Sequence, residues 1–286
     1  MTRPIVFLTD YGLDDEFVGV CHGVIARTAP EARIIDLAHG IPPQDVLRGA
    51  LVLAGAVPYM PSDAVYLAVV DPGVGGPRGA IAVATADGPL MVGPDNGLLS
   101  LAWAELGGPV HAVEIMAPEV ILEPVSATFH GRDVFAPAAA RLAEVADLGE
   151  LGPELAVASL QHVHVPPSVV ANGELAVVVL GVDRFGNLET NASPDDLAEA
   201  GLAGSARLRL RHPGGEAEIT PARTFTDVHP GEAAVIEDSS GSLAIVVNQG
   251  NAARTLGLGA GSSLTLSPPD SHRRRTSRQH GRPPKE

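Results

Sequence analysis

The chain has 286 residues, enough for about two ordinary domains and a sizeable core. Its composition, 45% apolar and 3% aromatic with 32 Gly and 25 Pro, excludes an intrinsically disordered chain and points to a loop-rich globular one. The net charge of −15 is unevenly spread: residues 267–286 hold six Lys/Arg against two acids (+4), leaving 13 basic and 32 acidic residues (−19) elsewhere, a balance that repels phosphate backbones and argues against nucleic-acid binding through the main domains.

In chain order, residues 4–8 (PIVFL) predict a strand that stops at Thr9-Asp10-Tyr11-Gly12. Phe17, Val20, Cys21, Val24 and Ile25 then fall on one face of a helix. Cys21 is the single cysteine, so no internal disulfide and no cysteine-based zinc cluster can form. Without a bilayer-length apolar run or a basic-then-apolar leader, the expectation is a cytoplasmic protein with no membrane partner. A strand over 33–37, a helix over 46–57 behind Pro42-Pro43, and strands over 64–70, 80–84 and 90–92 follow. Helices are expected over 96–106 and 133–145. Continuous apolar strands between helices predict an α/β domain over 1–165, with a largely parallel sheet covered by helices.

The pattern changes near Pro166-Pro167. Short strands over 174–182, 206–210, 233–237, 242–247 and 262–266, with one short helix over 194–200, predict a smaller all-β barrel domain over 166–266. Residues 267–286 form a basic tail without apolar periodicity, expected to be disordered.

Several loops carry candidate chemistry. Asp10 follows a strand, where ligands of α/β sheets gather, and its carboxylate suits a ribose diol; it equally suits a turn. Asp10, Asp14 and Asp15 also match three of the four acids in a nucleoside hydrolase calcium site, but Leu8 stands where the first belongs. The segment Val70–Gly79 (VDPGVGGPRG) lacks both the P-loop ending and the dinucleotide fingerprint, leaving Asp71 and Arg78 as site residues or as the salt bridge of a hairpin. Ser126 or Thr128 would cap the following helix and leave His130 near its positive end, a neutral proton acceptor or an incidental exposed ring. His162 and His164 alternate on an expected strand without a third metal ligand. In the second half, Asp183 would hold an ammonium and Asn187 a purine edge, unless both merely make a turn. The segments from Ser239 and around Asn248 share that ambiguity.

Taken in order, FLTDYGLDD, IPPQDVLRGA, VVDPGVGGPRG, VGPDNGLLS, ATFHGRDVFAP, VDRFGNLETN and SSGSLAIVVNQGNAA resemble the S-adenosyl-L-methionine (SAM) hydrolase (adenosyl-forming) family, related to SAM-dependent fluorinases and chlorinases. The resemblance implies a homotrimer, with each SAM held between the N-terminal domain of one subunit and the C-terminal domain of the next. It implies that Asp71, Arg78 and His130 bind the attacking water or hydroxide, with Asp71 and His130 as candidate proton acceptors. Asp10 would grip the ribose hydroxyls, Asp183 the methionine amino group, Asn187 and the segment around Asn248 the adenine, and Ser239 the methionine carboxylate. No cofactor and no metal are implied, SAM being the substrate itself. Gly131 stands where the fluoride site has Ser, Ser240 where fluorinases have a carboxylate-binding Arg, and Gln44 where relatives often carry an aromatic ring. A chlorinase-like halogenase and a SAM- or adenosine-binding module without turnover are the alternatives.

Overall fold

The computed structural model describes residues 2–269, and the chain divides between Val165 and Pro166 into two compact units. The basic tail from residue 270 lies outside the described residues, and the last strand runs to Ser267, inside the segment expected to be tail.

The first unit is built on a seven-stranded sheet of order β2-β1-β3-β5-β4-β6-β7. Strands β1 (Ile5–Thr9), β2 (Ile34–Ala38), β3 (Val65–Val69) and β5 (Leu90–Pro94) run parallel. Strands β4 (Ala80–Thr85), β6 (Pro109–Glu114) and β7 (Glu154–Leu155) extend the sheet antiparallel. Helices α1 (Phe17–Thr28) and α4 (Ala136–Val145) pack together on one face, α2 (Val46–Ala56) and α3 (Ser100–Glu105) on the other. Successive residues of a strand point to opposite faces, so Ile5 and Phe7 enter the core under α1 while Val6 and Leu8 enter the one under α2. Where both faces are dry, as along β1, β3 and β5, the strands are apolar almost throughout. Cys21 lies in the first core, fully buried.

Two expected helices begin differently. Residues 96–99 are not helical, because Asn96 turns its side chain on the backbone: Nδ2 donates to Val70 O at 2.9 Å and Oδ1 accepts from Leu98 N at 3.1 Å. The segment before α4 is a π-helical turn, Gly131–Phe135. His162 and His164 lie in an irregular segment rather than on a strand.

The second unit closes seven strands into a barrel: β9 (Glu174–Val182), β10 (Leu188–Thr190), β14 (Leu243–Val247), β13 (Ala233–Glu237), β12 (Gly215–Pro221), β11 (Leu208–His212), β15 (Ser263–Ser267) and back to β9. A short β8 (Val169–Ala171) adds to β9. Alternate residues Leu175, Val177 and Val179 of β9 fill the interior with Leu208, Leu210 and Ile245. Helix α5 (Pro194–Glu199) starts from a Ser193–Asp196 capping box, and α6 (Ala252–Leu256) from Asn251.

Candidate active site

The chain places β2 on one side of β1 and then crosses to lay β3 on the other, with Thr9 opposite Val69. The loops leaving β1 and β3 therefore diverge at a topological switch point, where open α/β sheets form their ligand crevice. Asp10 and Asp71 belong to those two loops.

Loop 70–79 is not a hairpin, since β5 lies between β3 and β4. It folds back so that Arg78 Nε donates to both oxygens of Asp71 at 3.0 Å and Nη2 to Oδ2 at 2.5 Å. The side chains are 11% and 6% exposed, so each charge depends on the other; leaving either alone would strand a buried ion. The same Nη2 reaches His130 Nδ1 at 2.7 Å, and the guanidinium carbon lies 5.2 Å from the Phe135 ring centre. Gly75 makes this docking possible: its φ is +74°, and a Cβ there would stand 2.3 Å from Ala127 O. The loop packs against residues 126–130 without a side chain between them, and His130 comes to Arg78.

His130 occupies the N-cap position of the π-helical turn, a distortion often found at functional sites. Neither Ser126 nor Thr128 caps it, contrary to expectation; Ser126 N instead donates to Asp133 Oδ2 at 2.9 Å, and Ser126 Oγ accepts from Thr128 N. Burial first, and then the Arg78 cation, hold the His130 imidazole below its ordinary range. Its protonation pattern follows from its partner. A guanidinium only donates, so Nδ1 accepts and the proton of the neutral ring sits on Nε2.

Tyr11, which the sequence did not mark, stands beside this group: a Cβ on Gly131 would meet its hydroxyl, so a larger residue there requires the Tyr11 side chain to shift. Burial, then the neighbouring Cys21, Asp10 and Asp71, keep the phenol protonated. Asp10 Oδ2 accepts from Gln44 N at 2.8 Å, which leaves Oδ1 without a partner among the described residues. Gln44 holds a left-handed backbone (φ 67°), and its side chain is exposed. Asp14 and Asp15 are exposed and form no ligand group with Asp10 among the described residues, and Leu8 is in the core.

In the second unit, Asp183 and Asn187 bond to each other. Asp183 Oδ1 accepts from Phe185 N and Asn187 N, both at 2.8 Å, and Oδ2 accepts from Asn187 Nδ2 at 2.7 Å. Gly186 permits the turn with φ +89°, tight against Asn251. Asn187 Oδ1 keeps its acceptor capacity. Ser239 is exposed, whereas the Ser240 hydroxyl donates to Asp238 Oδ1 at 2.6 Å. Asn248 is buried and donates from Nδ2 to Val228 O at 2.7 Å.

One further cluster, His22, Asp36 and His39, has the residue types of a metal site. Both Nε2 atoms meet the same Asp36 oxygen, at 2.8 and 3.0 Å. These are hydrogen-bond lengths, and a cation held about 2.0–2.2 Å from each atom would force the oxygen away from both rings.

Residues 5–152 match the SAM hydroxide adenosyltransferase N-terminal domain and residues 177–265 the corresponding C-terminal domain. The chain is 50% identical over 266 residues to the (R)-S-adenosyl-L-methionine hydrolase of Salinispora tropica, covering 93% of this chain and 98% of that protein. A fluorinase of Nocardia brasiliensis is more distant, 29% identical over 92% of this chain and 97% of its own. Among solved structures, an uncharacterized conserved protein of Thermotoga maritima superimposes with a TM-score of 0.85 at 37% identity, over 92% of this chain and 99% of that one. With both domain matches in order, the chain belongs to the SAM hydroxide adenosyltransferase family.

Proposed function

We propose that the protein is a SAM hydrolase: water or hydroxide attacks the ribose C5′, and the products are adenosine and L-methionine. The observation that carries this reading is Arg78 joined at once to Asp71 and His130. The C5′–O bond forms as the C5′–S bond breaks, and the bonding pair passes to the sulfonium, which leaves as a neutral thioether. No acid and no cofactor are needed on that side. The difficulty is the nucleophile, since water is weak and hydroxide is scarce and strongly hydrated.

The bonding pattern makes His130 a donor to a bound hydroxide and not its base. Arg78 engages both Asp71 oxygens, one bond on Oδ1 and two on Oδ2, and the free nitrogen of neutral His130 carries a proton, so of the two only Asp71 Oδ1 keeps an acceptor site. Arg78 and His130 Nε2–H instead supply positive charge and a donor to an oxygen in the crevice, replacing its hydration by fixed dipoles. One proton per turnover goes to solvent. Asp71 holds the guanidinium in plane, and Asp10 Oδ1 is left to take the ribose diol. Asp183, Asn187, Ser239 and Asn248 remain our assignment for the methionine and adenine ends. For Asn187 the supporting feature is its unspent Oδ1, and for Ser239 its exposed hydroxyl. We further infer a homotrimer with active sites between subunits, consistent with Leu13 standing 75% exposed on the loop after β1. No described helix is long and apolar enough to cross a membrane.

The test is incubation with SAM in oxygen-18 water, using the two sulfonium epimers separately because the relatives' name specifies (R). Label in the adenosine 5′-hydroxyl supports the reading. Intact SAM after long incubation supports a binding module, and 5′-chloroadenosine formed in chloride supports a halogenase.

A further inference from the structure

The group Thr9, His39 and Asp36 has no part in the chemistry above, yet it lies directly under the loop that carries Asp10. Thr9 is fully buried and His39 6% exposed, so their polar atoms must be paired within the protein. They are paired in one direction. Asp36 can only accept, so His39 Nε2 carries the proton bound to its Oδ1 at 3.0 Å. In the neutral ring Nδ1 is then an acceptor, and the Thr9 hydroxyl is its donor at 2.9 Å. The same hydroxyl accepts from Tyr11 N at 3.2 Å.

Two further bonds tie the loop after β1 to the segment after β2. Gly12 N donates to His39 O at 2.7 Å, and Gln44 N to Asp10 Oδ2 at 2.8 Å. Asp10 is thus flanked by Thr9 and Tyr11, and both are fastened through His39 to Asp36. His22 of α1 donates to the same Asp36 oxygen at 2.8 Å, and the Phe7 ring meets the His39 ring edge-on at 4.9 Å. Thr9 and His39 are the buried part of this network, while Asp36 and His22 close it at the surface, 45% and 34% exposed; the satisfied inner part rigidifies what it touches.

We propose that His39, with Thr9 and Asp36, is a positioning residue for substrate binding: the Tyr11–Thr9–His39–Asp36 chain holds the free Asp10 oxygen where the ribose diol arrives. This rests on the assignment of Asp10 to the ribose. The expected effect is on affinity for SAM, because Thr9 and Tyr11 flank Asp10 in the chain and none of the bonds in this network is to Asp71, Arg78 or His130.

The experiment uses Thr9→Val, which keeps the shape and deletes the hydroxyl, Thr9→Ser as rescue, and Asp10→Ala as reference. Thr9→Val is expected to raise KM for SAM by about tenfold with kcat within about twofold, and Thr9→Ser to restore the wild-type KM. If Asp10→Ala raises KM but Thr9→Val does not, the positioning role is overturned while the ribose assignment stands. If Asp10→Ala leaves KM unchanged, the ribose assignment fails and takes this proposal with it. A lowered thermal midpoint in Thr9→Val at unchanged KM, or a loss confined to kcat, also overturns it.

Discussion

Two loops of this protein begin alike: Asp71 after β3 and Asp183 after β9 each follow an apolar strand and enter a glycine-containing turn. Their carboxylates end differently. Asp183 spends its oxygens on the backbone and side chain of residues two and four positions away, and so shapes its own turn. Asp71 takes no such local bond; it holds Arg78, which reaches His130, 52 positions further on. One carboxylate organises a turn, and the other holds a nearly buried guanidinium that bonds to a distant histidine.

Substitutions separate the two. The largest effect is expected at Asp71→Asn, where kcat should fall by about 10²–10³-fold as the guanidinium loses its anchor, with SAM binding still measurable by calorimetry. Near-normal turnover would remove the Asp71–Arg78 pair from the mechanism. Gly75→Ala comes next: the added methyl meets Ala127 O and pushes the loop off His130, so kcat should drop roughly tenfold, since small misplacements are costly. Asp183→Ala should cost roughly 1–3 kcal/mol in urea unfolding, the scale of hydrogen bonds lost to a charged group. A kcat loss there as large as at Asp71 would erase the distinction.

The smallest effect is electrostatic. His130 titrates below the ordinary imidazole value of 6.5 in the folded protein, so on acidification the unfolded chain takes up its proton first. Its contribution to stability is complete above about pH 6.5 and lost as the pH falls through the lower folded value. His130→Gln should flatten the thermal midpoint across that window, while Asp183→Ala should leave its slope unchanged.

The strands of the first unit were legible because alternation does not matter when both faces are dry; residues 64–70 need only be apolar. Strands β6 (PVHAVE) and β12 (GEAEITP) were not, since Pro, His and acidic residues interrupt any apolar run. The start of α3 was misjudged because Asn96 competes for its own backbone. At the site, residue types and strand ends marked Asp10, Asp71, Arg78 and His130. The Arg78–His130 contact has no local signal, as it depends on Gly75 meeting Ala127 across the fold. Tyr11 and the Thr9–His39 pair were missed for a related reason. A tyrosine, threonine or histidine near a strand end is ordinary, and only burial reveals that its polar atoms are all directed at particular partners.

Cys21 has a practical consequence. It is the single thiol of the chain, on the buried face of α1, and burial pushes its ionisation up to about 12. Thiolate is the species that alkylating dyes attack, so the native protein should stay unlabelled by maleimide at neutral pH. A cysteine introduced at solvent-facing Phe185 would then be the sole attachment point for a fluorophore, giving a background-free optical report on the loop that carries Asp183 as ligand is added.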